Sequence, residues 1–224
     1  MELAAKIQLS KEERALVNNT GWILTKHTII KQVYEMFGIL NERIKIETAP
    51  FNYLLPDNIK CQNGKITKGE NYQLLPYVIL DNPAVFFKEN IFAVRTMFWW
   101  GNFFSVTLHL SGKQKEKLFA GDVEDSFSFL QKNNFFICIH ESEWQHHFNQ
   151  DNYIPAIQIS LPQFKEITKK SFFKISKKIS IAEWDNAIEF LINSYREIMQ
   201  LLQINYQDDK KDLLPGFPKA GFDL

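Results

Sequence analysis

Apolar and polar positions recur along this chain with two different periods, and the switches between them mark out its elements. From Ser10 to Phe37 the apolar residues Leu16, Val17, Trp22, Ile23, Ile29, Ile30, Val33, Tyr34 and Phe37 follow a roughly helical spacing. Ser10 with Glu13 three residues on is a capping-box signal for the helix start. Asn18-Asn19-Thr20-Gly21 divides the run into two helices, and Gly38 supplies a stop. The apolar stripe is expected to face a core and not a membrane or a partner. Residues 41–58, which hold Pro50 and Pro56, read as irregular.

The period then shortens. Ile59 to Thr67 reads as a small polar hairpin turning at Asn63-Gly64, expected at a sheet edge. Residues 74–81 read as a strand entered through Pro76, and Asp81-Asn82-Pro83 as the turn that ends it. Residues 91–111 carry the strongest pattern: two β-rich arms on either side of Gly101-Asn102. With those two residues at the centre of a type II′ turn, Trp100 faces Phe103, Phe98 faces Ser105, Thr96 faces Thr107 and Val94 faces His109. The other face then carries Trp99, Met97, Arg95 and Ala93 against Phe104, Val106, Leu108 and Leu110, and is expected to pack on helices.

Helical spacing returns over 113–132, interrupted by Gly121. Residues 135–140 form a short apolar strand, 154–160 a second, and Pro162 opens a short helix. Residues 171–176 return to strand. Ser180 with Glu183 opens the clearest helix of the chain, 181–203, with Ile181, Trp184, Ile188, Leu191, Tyr195, Ile198 and Leu202 on one stripe. The tail differs: Asp208-Asp209-Lys210-Lys211-Asp212 is a charged hinge, followed by Leu213-Leu214-Pro215-Gly216-Phe217-Pro218 and Phe222. The order of elements predicts an α+β fold with a mainly antiparallel sheet built around the central hairpin and covered by helices. Residues 1–205 form one domain whose first 40 residues are helical, and 206–224 an extended arm that packs across its own domain or reaches a neighbouring subunit.

Composition supports a real core: 45% of the 224 residues are hydrophobic, with 20 Phe and 5 Trp. The 26 basic and 26 acidic residues cancel, so no global charge favours nucleic acid. Arg95, Asn102 and His109 interrupt the one long apolar run, which argues against a membrane span. Cys61 and Cys138 make no disulfide framework, and Met1 to Ser10 holds no secretory apolar stretch; a reducing cytoplasm is the expected compartment.

Candidate chemistry falls into three groups. Phe98, Trp100 and Phe103 with Thr96, Thr107 and His109 share one face in the register above. They outline a pocket for a small, partly apolar ligand, with Arg95 joining if it faces a cavity. The competing reading is a covered sheet whose hydroxyls bond locally and whose Arg95 pairs with a carboxylate, as buried polar groups usually do. His140, Glu141, His146 and His147 cluster where a strand exits into a loop, and with His109 they offer zinc or iron ligands or an acid–base site, although no HExxH or facial-triad spacing is present. Lys165, Lys169, Lys170, Lys174, Lys177 and Lys178 flank Phe172 and Phe173 and read as a nucleic-acid surface or a solvated face. No GxSxG, GxxxxGK[ST] or GxGxxG occurs, so no cofactor is implied. A non-enzymatic binding module is the leading reading. A metal-dependent or acid–base enzyme, and an assembly protein or homo-oligomer joined through its C-terminal arm, are the alternatives.

Overall fold

A computed structural model describes residues 7–55, 63–87 and 90–206. The fold is α+β, with a seven-stranded antiparallel sheet and helices on one side of it. Helix α1 (Lys11–Asn18) starts at the Ser10–Glu13 capping box, and Asn19 caps α2 (Thr20–Thr48). Gly38 does not stop α2. It runs on and passes into a 3-10 turn (Ala49–Leu54), so 41–54 is helical where irregular chain was expected. Met36, Phe37, Leu40 and Ile44 hold the glycine inside one continuous buried stripe.

Strand β1 (Lys65–Tyr72) pairs with β2 (Leu75–Phe87), then come β3 (Asn90–Trp99) and β4 (Phe103–Ser111). Residues 59–62, the first arm of the expected small hairpin, lie outside the described residues. Asp81-Asn82-Pro83 does not turn the chain. β2 continues through it with a register shift between Asp81 and Ala84. Pro83 has no N–H to give, and its place beyond the Lys65–Asp81 end of the β1 ladder removes the need for one.

The 113–132 segment is broken near Gly121 into α3 (Gly112–Leu118) and α4 (Val123–Lys132). Short strands β5 (Phe136–Cys138) and β6 (Tyr153–Pro155) flank a long connection, and α5 (Leu161–Thr168) starts with its proline in the first turn. β7 (Phe172–Ser180) inserts between β4 and β5, giving the order β1-β2-β3-β4-β7-β5-β6. A 3-10 turn (Ile181–Asn186) then leads into α6 (Ala187–Tyr206), so the helix expected from 181 begins six residues later. The expected C-terminal arm lies outside the described residues.

The central hairpin forms where expected, but its register is corrected by one residue. Trp99 pairs with Phe103, Phe98 with Phe104 and Arg95 with Thr107. The Asn102 N–H donates to the Trp99 carbonyl, and Gly101 has φ +72°, so Gly101 is the second central residue of the turn. That is where a type II turn needs positive φ, whereas type II′ needs it at the first. Even-numbered positions of both arms therefore share one face, and odd-numbered positions the other.

The even face is the main core. Phe92, Val94, Phe98, Phe104, Val106, Leu108 and Leu110 pack with Phe37 and Leu40 of α2 and Leu191, Tyr195 and Ile198 of α6. The Tyr195 hydroxyl donates to the carbonyls of Asn82 and Val94, tying α6 to the irregular part of β2. Two ion pairs, Arg43–Glu189 and Arg196–Glu47, stitch α2 to α6 along their length. Among the described residues no helix is long and apolar enough to cross a membrane.

Candidate functional site

The odd face carries both apolar and polar rows. Strand pairing aligns Asp81, Arg95, Thr107 and Ser176 across β2, β3, β4 and β7, and sets His109 beside Lys174. Arg95 grips Asp81 with two parallel bonds, Nε to Oδ1 at 2.7 Å and Nη2 to Oδ2 at 2.8 Å. Thr107 and Ser176 bond through their hydroxyls at 2.8 Å. Apolar patches flank these rows: Ile79, Met97, Trp99 and Phe103 on one side, Cys138, Tyr153 and Phe172 on the other.

The connection from Ile139 to Asn152 covers this face like a strap, and side chains of β1, β3, β4 and β7 anchor it. On β1, the Tyr72 hydroxyl accepts from the backbone N–H groups of His146 at 2.7 Å and His147 at 3.1 Å. On β7, Lys174 Nζ donates to the carbonyls of Glu143 at 2.6 Å and Gln145 at 2.8 Å. On β4, His109 Nε2 lies 3.1 Å from Glu143 Oε2. On β3, Arg95 Nη1 lies 3.4 Å from His146 Nε2. Phe148 packs edge-on against Phe103 and Phe136, and Trp144 leans on Phe86 and His109.

The electrostatics follow from this cover. Burial, with Lys174 and Arg95 close by, pushes the His109 imidazole down to about 3, so it is neutral. The same causes hold His146 well below its ordinary value. Burial lowers Lys174 to about 8 and raises the Glu143 carboxyl. Lys174 is 1% exposed, so its ammonium has only the strap carbonyls and its neighbours to solvate it.

Lys174→Met should therefore loosen the strap while sparing the sheet. Two buried carbonyls lose their donor, at about 1–3 kcal/mol each. Hydrogen exchange of the 139–152 amides should quicken about tenfold or more, with β3 and β4 amides unchanged. Unchanged exchange in the strap would show that Lys174 does not hold it.

The register correction divides the residues proposed as one ligand pocket. Thr96, Phe98 and Trp100 lie on the helical side, while Arg95, Phe103, Thr107 and His109 lie beneath the strap. Thr96 is fully buried. Phe98 and Trp100 do line a cleft of about 380 Å³, together with Ile29 and Gln32 of α2, Gly101, and Ile181 and Trp184 of the 3-10 turn before α6. Trp184 stands edge-on to Phe98 and Phe104, at ring-centre distances of 6.0 and 5.2 Å.

The ionisable loop residues do not converge on one point. His109 meets Glu143, His146 meets Arg95, the His140 Nδ1 accepts from the Ser142 N–H, His147 neighbours Asp151, and Glu141 pairs with Lys170. Among the described residues, no three His, Cys, Asp or Glu side chains are grouped to hold a metal ion. The lysine run does not form one basic face either. Lys165, Lys169, Lys170 and Lys177 each pair with a glutamate, Lys174 is buried, and Lys178 lies over the rings of Phe103, Phe136 and Phe148.

Reading the sequence missed Glu143, Asp81 and Lys174 as partners of His109 and Arg95, and Trp184 as a cleft wall. One signal was present: along β7 the alternate positions Lys174, Ser176 and Lys178 already form a polar stripe opposite Phe173 and Ile175. Comparison with protein-family models, with curated proteins and with solved structures finds no match for this chain.

Proposed function

We propose that this protein is a non-enzymatic binding module whose aromatic cleft takes a small, partly apolar ligand. The observation that carries the reading is the cleft of about 380 Å³ between α2, the hairpin turn and the 3-10 turn before α6. Its walls are Ile29, Phe98, Trp100, Ile181 and Trp184, and Gln32 is the polar side chain among the residues lining it. Apolar walls with a single amide suit a neutral ring bearing one hydrogen-bonding group. Among the described residues no charged side chain lines the cleft, so an ionised ligand would find no partner among them.

The test is direct binding of the neutral fluorophore N-phenyl-1-naphthylamine. Wild-type protein should bind it, and Trp100→Ala and Trp184→Ala should each lose about tenfold or more in affinity with far-UV circular dichroism unchanged. Equal affinity in both variants would overturn the reading.

A second reading, an acid–base enzyme, is favoured by the His109–Glu143 contact. Glu143 lines a polar cleft of about 340 Å³ together with Ser111, Glu141, Ser142, Trp144, Ser171 and Phe172. A neutral imidazole behind a carboxyl of raised proton affinity is an arrangement that can relay a proton.

A further inference from the structure

Two sequence expectations fail at the surface of this protein. The apolar stripe near the start of the chain was expected to face the core, yet Leu16, Val17, Trp22, Ile23 and Leu24 stand between 44% and 72% exposed. They lie beyond the end of the sheet and meet it where the edge of Trp22 touches Trp100, with ring centres 6.3 Å apart. The second failure is the capping box at Ser180–Glu183. At Ser10–Glu13 such a box closes, each side chain bonding the other residue's backbone N–H. At Ser180 the hydroxyl accepts from the Ala182 N–H instead, and Glu183 takes the non-helical angles φ −99° and ψ 33°. Its carboxylate is thereby freed from the helix start.

The freed carboxylate lines a cleft of about 430 Å³ where the ends of β4 and β7 meet the 3-10 turn. Lys178, two positions before Ser180 on β7, lines the same cleft. Its ammonium lies over the rings of Phe148, Phe136 and Phe103, at 4.8, 5.6 and 5.7 Å from their centres. Partial burial there lowers its proton affinity. Among the described residues, neither Lys178 nor Glu183 has an ion pair or a side-chain hydrogen bond, whereas the adjacent Lys177 is paired with Glu197. Opposite charges thus share one cleft without touching each other.

We propose that this cleft binds a small zwitterion with an apolar side chain, of the α-amino acid class. The ligand carboxylate takes Lys178 as its counter-ion. The Ser180 hydroxyl donates to the same carboxylate, since no described residue accepts its proton. The ligand ammonium faces Glu183 and the Asn102 amide oxygen, the Asn102 amide nitrogen being engaged with the Trp100 carbonyl. Phe103, Ile179 and Phe190 line the apolar remainder. A ligand with one charge fits worse. A lone carboxylate brings its negative charge beside Glu183, and a lone amine its positive charge beside Lys178. The cleft shares no lining residue with the uncharged aromatic cleft on the other side of the turn.

Isothermal titration calorimetry of the full chain with L-phenylalanine tests the proposal. Saturable binding is expected. Both 3-phenylpropionate, which lacks the ammonium, and phenethylamine, which lacks the carboxylate, should bind about tenfold or more weakly. Glu183→Gln and Lys178→Met should each lose about tenfold or more in affinity for L-phenylalanine. Glu183 is exposed, so its variant should keep the wild-type circular dichroism and serves even where Lys178→Met disturbs the three rings. Failure of L-phenylalanine to bind at up to about 10 mM overturns the proposal, as does unchanged affinity in Glu183→Gln. So does 3-phenylpropionate binding as tightly as L-phenylalanine, which would make Lys178 a plain anion site. None of these outcomes bears on the aromatic cleft, whose affinity for the naphthylamine is measured separately.

Discussion

Mild acid should unfold this protein well before its surface carboxylates would require it. His109 and His146 are neutral in the folded chain, with His109 lowered to about 3 from an ordinary value of 6.5. Once unfolded, both take up protons near pH 6.5. Each proton bound therefore favours the unfolded state. For His109, stability is whole above about pH 6.5 and declines as pH falls toward about 3, with a slope of about 1.4 kcal/mol per pH unit, and the lowered His146 acts in the same direction.

His109 alone withdraws on the order of 5 kcal/mol across that window, a large share of a typical domain's stability. The groups facing it are Lys174 from β7, Arg95 from β3 and Glu143 from the strap. The two cations add to the penalty for a charged imidazole. Glu143, whose carboxyl is raised by burial, opposes the trend but is about a quarter exposed and offsets only part of it. Urea midpoints measured from about pH 7 to about pH 4 should fall steeply in the wild type and less steeply in His109→Gln. A midpoint that stays level through the window would refute the assignment.

Loss of the Asp81 carboxylate should be the most damaging single change on the strap side of the sheet. Its two oxygens hold the Arg95 guanidinium, and the pair is largely buried, at 15% and 17% side-chain exposure. In Asp81→Ala the guanidinium keeps the marginal His146 contact at 3.4 Å and the Phe86 ring, whose centre is 5.5 Å away, but no carboxylate. An unpaired buried charge costs about 3–5 kcal/mol. That corresponds to a fall in melting temperature on the order of 10 °C for a chain of this size. Asp81→Leu combined with Arg95→Met removes both charges and should recover most of the loss. A single variant that melts with the wild type would show that water already shields the pair.

The sequence conveyed the element types better than their alignment. The hairpin at Gly101 was legible because β-rich arms of similar length flank a glycine. Its register was not, because a glycine with positive φ serves either central position of a turn, depending on type. Usually the side-chain pattern settles such a choice. Here β4 alternates Ser105, Thr107 and His109 with Val106, Leu108 and Leu110, but β3 sets Thr96 among its core-facing positions and Met97 and Trp99 on the other side, so the pattern of β3 does not show which of its faces continues the polar face of β4.

The candidate sites suffered in proportion. Phe98 and Trp100 remained together because they share a strand, whereas Phe103 and His109 changed sides with the one-residue slip. The partners of His109 and Arg95 come from chain positions far apart, and no local spacing encodes them. The exposed Leu16 and Trp22 follow the same logic: helical period reveals which side of a helix is apolar, not whether a sheet extends beneath it.

The strap has a consequence for the order of events in folding. Its anchors sit on β1, the β3–β4 hairpin and β7, which are separated in sequence and come together only once the whole sheet has aligned. Closure of the strap is thus the final step of assembly, and its release the first of disassembly. Before that step, a nascent chain presents Met97, Trp99, Phe103 and a bare lysine to water, and the ribosome-fresh molecule is at its stickiest when its backbone topology is already complete.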